Sequence, residues 1–320
     1  MNRRDFLRQT ASLTAACSIL PGFAYAKKSS GKLLKSIGIQ LFSLPKMLEH
    51  DFRKAIEMLA GMGYREIELY GPYPFSAESA KAGWEAVTPQ LGFSGSGFFG
   101  HSILDIKTIL NDFEIRVTSI HTDLETLQTR MPQLQEAAEI LGFKYACIPY
   151  IPENLRSTLD EYKRTAELFN IIGEEAINSG IRFGYHNHGY GLQEKNGQIP
   201  FQIILDETDS GNVFFELDIF WTVAGGANPA DYLQSYPERF KLMHIKDMKE
   251  LVRFAGDGGS PAEWISLFPY MTTAGNGVLD LQGIIEAGLD AGVEHFFVEQ
   301  DMVENPETAL KMSIDHLKAL

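Results

Sequence analysis

Apolar and polar positions along the chain follow two rhythms. Short β-rich apolar runs at Ser36–Phe42, Glu66–Tyr70, Arg116–His121, Tyr145–Tyr150, Arg182–Asn187, Val213–Asp218, Lys241–Lys246 and His295–Gln300 predict eight strands. Between most of them, apolar residues recur at the spacing of one helix face. Such stretches cover Phe52–Leu59, Met131–Leu141, Leu155–Ser179 and Leu281–Ala291, with a last one from Glu307 to Leu320. Gly61, Gly142, Gly180 and Gly292 stand where helix C-caps belong. Strands alternating with helices predict an α/β fold, a single-domain (β/α)8 TIM barrel over residues 35–320. A doubly wound sheet would carry a Gly-rich phosphate loop after its first strand, and Gln40-Leu41-Phe42-Ser43-Leu44-Pro45 is not one. The stretch from Gly71 to Gly100 is too long for an ordinary βα loop, so it is expected to cap the barrel mouth or form an interface.

The N-terminus reads differently. Arg3-Arg4-Asp5-Phe6-Leu7 precedes an apolar run from Ala11 to Leu20, and Ala24-Tyr25-Ala26 offers the small residues of a cleavage site. Residues 1–26 are thus expected to be a cleaved twin-arginine signal and the protein to be exported, periplasmic, with 27–34 a short linker. The apolar run is too short for a membrane span. Lipoprotein anchoring at Cys17 is disfavoured, because Thr14 occupies the place of an aliphatic residue. Processing after Ala26 leaves Cys147 alone of the two cysteines, so no internal disulfide is available. With a formal net charge of -14 and no run of Lys or Arg, nucleic acid is excluded as a partner.

In a parallel barrel the chemistry belongs at the C-terminal strand ends. Here those ends hold Glu68, His121, His186 with His188, Glu216 with Asp218, His244 with Lys246 and Asp247, and Glu299. Side chains two apart share a face, so these pairs converge if their faces point inward. Singly, each has a bland reading: Glu216 pairs with Lys246 as a structural ion pair, or Asp247 caps the next element. Together they point to a metal site, since burying so many ionisable groups is costly otherwise. Mixed N/O donors suit Mn, Co, Zn, Fe or Mg alike.

Through Gly184-Tyr185-His186-Asn187-His188, Glu216-Leu217-Asp218-Ile219-Phe220-Trp221, His244-Ile245-Lys246-Asp247-Met248, Gly275-Asn276-Gly277 and Val298-Glu299-Gln300-Asp301, the chain resembles the sugar phosphate isomerase/epimerase family of the xylose-isomerase-like barrels. The resemblance runs from about Lys35 to the C-terminus. It implies one divalent metal held by Asp218, His244 and Glu299, with His186 where the family has a strand-5 glutamate. In family epimerases that glutamate and the strand-8 one act as bases on opposite faces of the substrate. The family's substrate-binding arginine after strand 7 is also missing, Lys246 and Lys249 being the nearest cations.

The expected chemistry lies next to a carbonyl, through an enediolate, with Glu299 or Glu216 as base and His188 or Lys246 as acid. Glu68, His121 and Trp221 are expected to bind substrate, and Tyr70, Phe98 and Phe99 offer further stacking surfaces. The leading expectation is an isomerase or epimerase of an unphosphorylated sugar. The alternative is a lyase, hydratase or hydrolase of 3-keto-glycosides at the same metal. A non-catalytic sugar-binding protein is the reading from another class, and the related apurinic endonucleases are disfavoured by the acidic charge. Family members pair through the barrel mouth, which implies a homodimer.

Overall fold

Eight parallel strands close into one barrel in sequential order: β1 (Gly38–Gln40), β2 (Glu66–Tyr70), β3 (Arg116–His121), β4 (Tyr145–Ile148), β5 (Arg182–His186), β6 (Val213–Asp218), β7 (Phe240–Ile245) and β8 (His295–Val298). This computed structural model describes residues 32–320. The expected twin-arginine signal and cleavage after Ala26, Cys17 and most of the 27–34 lead-in fall outside the described residues. Leu34, at the end of that lead-in, is already buried in the core. No helix among the described residues is long and apolar enough to cross a membrane.

All eight strands fall where the apolar runs predict them: β2, β3 and β6 keep the expected bounds, β7 is shifted back by one residue, and β1, β4, β5 and β8 are shorter. Strand β1 stops at Gln40 because Leu41–Ser43 turns into a 3-10 helix, its start capped by the Gln40 side chain accepting from Phe42 N at 3.1 Å. Strand β4 stops before Pro149, which has no N–H for the ladder. The helix expected at Leu155–Ser179 begins at Leu159, where Thr158 and Glu161 form a capping box. Gly61 lies within the helix Phe52–Met62, and Gly63, at φ 104°, is the residue that ends it.

The alternation within each strand divides the core in two. Outward residues such as Ile67, Leu69, Phe183, Phe215, Leu217, Met243 and Ile245 pack under the helices. Inward residues stack in layers along the barrel. Tyr145, Cys147, Phe214, Leu242 and Phe297 fill the lower interior. Two glycines make room there: a Cβ on Gly38 would meet the Phe297 ring at 2.4 Å, and one on Gly184 would meet Cys147 Sγ at 2.5 Å. Above this apolar plug the inward positions include the buried polar residues Gln40, Glu68, His186, Glu216, Asp218, His244 and Glu299.

The stretch from Gly71 to Gly100 does cap the mouth. It carries a helix, Glu78–Leu91, that buries none of its residues. Glu49 ties the loop after it to the barrel, accepting from Ser94 N, Ser94 Oγ and Gly95 N at 2.7–3.0 Å. On the other side of the mouth stands the helix Pro261–Leu267, above a short antiparallel ribbon of Asp247–Met248 and Met271–Thr272.

Candidate metal centre and substrate cleft

Register builds the centre. His186 lies beside Glu216 across β5 and β6, and Asp218 beside His244 across β6 and β7. With β2, β3 and β8 they form two polar layers, all but fully buried.

The lower layer contains Glu68, His121 and Glu216. His121 Nε2 lies 2.7 Å from Glu216 Oε2 and 3.1 Å from Glu68 Oε2, while Gln40 Nε2 donates to Glu68 Oε2 at 2.7 Å. Burial alone would push Glu68 up and His121 down. Their mutual attraction outweighs it, holding Glu68 well below the usual carboxylate range and raising His121 to about 9. Burial likewise opposes the charge on Glu216, yet His244 and His121 bring it down to about 2.

The upper layer contains His186, Asp218, His244, Lys246 and Glu299. Asp218 Oδ2 is 3.7 Å from His186 Nε2 and 3.8 Å from His244 Nδ1, and His244 Nδ1 is 2.7 Å from Glu299 Oε2. Lys246 Nζ lies 3.1 Å from Asp218 Oδ2, 2.7 Å from Glu299 Oε2 and 3.0 Å from Asp301 Oδ2. These carboxylates raise Lys246 above its ordinary range despite its burial. Burial raises Asp218, and its Oδ2 has no hydrogen-bond partner among the described residues.

These residues fit a divalent cation. Each histidine turns one nitrogen toward Asp218 and anchors the other on a carboxylate of the lower layer. His186 Nδ1 is 3.1 Å from Glu216 Oε2, and His244 Nε2 is 2.6 Å from Glu68 Oε2. Carboxylates behind ligating imidazoles fix ring orientation and tautomer. Burial and the neighbouring His244 push His186 well below the imidazole range, leaving it a neutral donor. Asp218 Oδ2, which faces Lys246 at 3.1 Å and both imidazoles at 3.7–3.8 Å, is the anionic donor the set needs.

The structure thus brings together Asp218, His244 and Glu299, places His186 with His121, Glu216 and His244 and 3.7 Å from Asp218, and revises the roles of several neighbours. Glu216 does not pair with Lys246; it meets His121, His186 and His244 instead. Glu216 and Glu68 are fully buried and absent from the cleft wall, so neither is positioned as a base or a direct substrate contact. His121, His188, Trp221 and Tyr70 do line the cleft. Phe98 and Phe99 do not, because they pack inside the mouth insertion against Tyr73 and Phe52. His188 stacks between Trp221 and Trp264 at 5.6 and 4.4 Å, and burial together with Lys246 lowers it to about 3. Gln40 and Asp301 also belong to the centre; Asp301 shares the two-residue spacing with Glu299 but lies past the predicted strand end at Gln300, and Gln40 is the lone donor on its strand.

Asp247 caps a loop and not a helix. Its Oδ1 accepts from Met248 N and Leu279 N at 2.8 and 3.3 Å, and its Oδ2 from Gly275 N and Gly277 N at 2.9 and 3.0 Å. A Cβ on Gly277 would meet that carboxylate at 2.2 Å, which explains the Gly-Asn-Gly run. Asp247→Ala is therefore expected to cost about 3 kcal/mol of unfolding free energy. Urea denaturation measures the loss, and metal content should stay at the wild-type value.

Comparison with known proteins agrees with this architecture. The profile of the xylose isomerase-like TIM barrel family matches residues 56–320. An inosose dehydratase of Clostridium botulinum (strain Alaska E43 / Type E3) is 24% identical over 202 residues, 63% of this chain and 65% of the dehydratase, so the match spans under two thirds of that enzyme. A sugar phosphate isomerase/epimerase from Parabacteroides distasonis superposes with a TM-score of 0.66 at 24% identity, covering 94% of this chain and 98% of that one. The IolI protein, whose crystal structure holds a zinc atom, superposes with a TM-score of 0.61 at 15% identity over 88% of this chain and 95% of its own. At these identities the superpositions establish the fold.

Proposed function

Since the chain belongs to the xylose isomerase-like TIM barrel family, we propose that it is a metal-dependent enzyme of unphosphorylated sugars or glycosides that removes the proton next to a carbonyl. One observation carries this reading: Asp218, His244 and Glu299 turn donor atoms toward one point, with His186 Nε2 3.7 Å from Asp218 Oδ2. A divalent ion held there supplies Lewis acidity, polarising a C=O and offsetting charge on neighbouring oxygens as the proton leaves.

The chain's own residues supply the rest. Glu299 lines the cleft and is the base. Lys246, pinned by three carboxylates, stays charged and faces the oxygen that becomes negative. Neutral His188, packed against Trp221 and Trp264, offers its ring at the cleft wall.

A specific observation favours elimination over epimerisation. Two-base epimerisation needs a carboxylate on each face of the substrate, and the strand-5 position holds His186, whose Nδ1 is engaged by Glu216. One base that takes the proton next to the carbonyl, with the leaving group on the following carbon, suits loss of water or of an aglycone: the C–H pair becomes the new C=C bond as the C–O bond to the leaving group breaks. The dehydratase activity in the name of the Clostridium relative supports the same choice. Export through the twin-arginine signal is part of this reading and suits substrates without phosphate.

Metal analysis and turnover test it together. Purified protein is expected to carry about one equivalent of divalent metal, and chelation should abolish activity on 3-keto-glycosides assayed for both aglycone release and isomer formation. Tight sugar binding that survives chelation, with no turnover, would identify a binding protein instead.

A further inference from the structure

We propose that the upper half of the cleft is an aglycone subsite, and that the substrates are glycosides carrying an aromatic, apolar aglycone. This rests on the reading of the floor as the carbonyl centre and adds a substrate class to it.

The cleft has a volume of about 600 Å³, within the range of about 300–1,000 Å³ typical of sites for drug-sized ligands. Its chemistry is divided by height. The floor is polar, with His121, His186, Lys246, Glu299 and Asp301. The walls above are apolar, formed by Trp84, Val87 and Leu91 of the helix Glu78–Leu91 on one side and by Trp264, Ile265 and Phe268 on the other. All three tryptophans of the chain line this cleft.

A sugar ring carries hydroxyls around its edge, and each one taken out of water needs a partner. The rim indoles offer none. Trp84 Nε1 donates to Ser94 O at 2.8 Å and Trp264 Nε1 to Gly258 O at 2.7 Å, so both present only ring surface. No residue of the Glu78–Leu91 helix is fully buried: Trp84 and Leu91 lean on the core with part of their surface left open, and Val87 and, across the cleft, Ile265 remain 38% and 43% exposed. A free monosaccharide on the floor leaves this facing pair of apolar walls in water. A ring without hydroxyls, joined to the sugar through its glycosidic oxygen, fills the space and covers them.

Because every tryptophan is in the cleft, intrinsic fluorescence reads its occupancy. Titration with phenyl and methyl glucosides of both anomers should show phenyl binding at least about tenfold tighter for one anomer. The preference should persist after chelation, since no wall residue belongs to the metal centre. With the 3-keto forms, KM should favour phenyl by a similar factor, and V87S/I265S should bring the phenyl-to-methyl ratio close to unity. Equal affinity for phenyl and methyl glucosides overturns the subsite, as does a solution dimer in which the mouth is covered and fluorescence does not respond. Turnover of phenyl and methyl ketosides with equal KM sinks the subsite alone. Selective phenyl binding without turnover of any ketoside retains the subsite and removes the proposed reaction.

Discussion

Asp218→Asn is expected to remove the bound metal and reduce turnover by at least about a thousandfold while leaving the barrel folded. Asp218 does two jobs with its two oxygens. Oδ1 accepts from Trp221 N at 2.8 Å and caps the helix Ile219–Ala224, a contact whose loss costs about 1 kcal/mol. Oδ2 lies between the two imidazoles and is ion-paired with Lys246 at 3.1 Å. Asparagine keeps the cap and removes the anionic donor, so it separates ligation from folding better than alanine does. Metal affinity should fall by at least about a hundredfold, since even residues behind the ligands are worth 10–100-fold. Elemental analysis after dialysis, with a thermal melt in chelator, checks both halves. Wild-type metal content would remove Asp218 from the ligand set.

Lys246→Met should destabilise the metal-free protein by about 3–5 kcal/mol, and saturating metal should return much of that loss. The reason is charge. Lys246 Nζ is within 2.7–3.1 Å of Glu299, Asp218 and Asp301, all nearly excluded from water. Removing one partner of a buried ion network leaves the others uncompensated, and such losses run to about 3–5 kcal/mol. A divalent ion restores positive charge to Asp218 and Glu299, and its preferential binding to the folded state stabilises by mass action. Urea titrations with and without metal measure both effects. Equal stability of variant and wild type without metal would contradict this account of the centre's charge.

Much of this was legible in the chain because strands alternate. Once the eight runs are placed, period two puts His186, Glu216, Asp218, His244, Lys246 and Glu299 on inward faces, and the barrel rule places them at the mouth. Height within the barrel was not legible. Glu216 and Asp218 look equivalent in sequence, yet the first is a buried support for three imidazoles and the second a ligand candidate. Strand stagger sets that layer, and stagger comes from closure of the whole sheet. Loop contributions were equally hidden. Trp264 and Ile265 reach the cleft from a helix far along the chain, and Phe98 looked like a stacking residue until its packing inside the insertion was seen. Asp301 sits beyond the end of β8, where strand periodicity no longer says which way a side chain points.

The most direct measurement is anomalous diffraction from crystals of the protein soaked in manganese. A single peak bounded by His186 Nε2, Asp218 Oδ2, His244 Nδ1 and Glu299 is the predicted result. No peak among those atoms, or one in the layer below between Glu68, Cys147 and Glu216, whose side chains also lie close together, would contradict it.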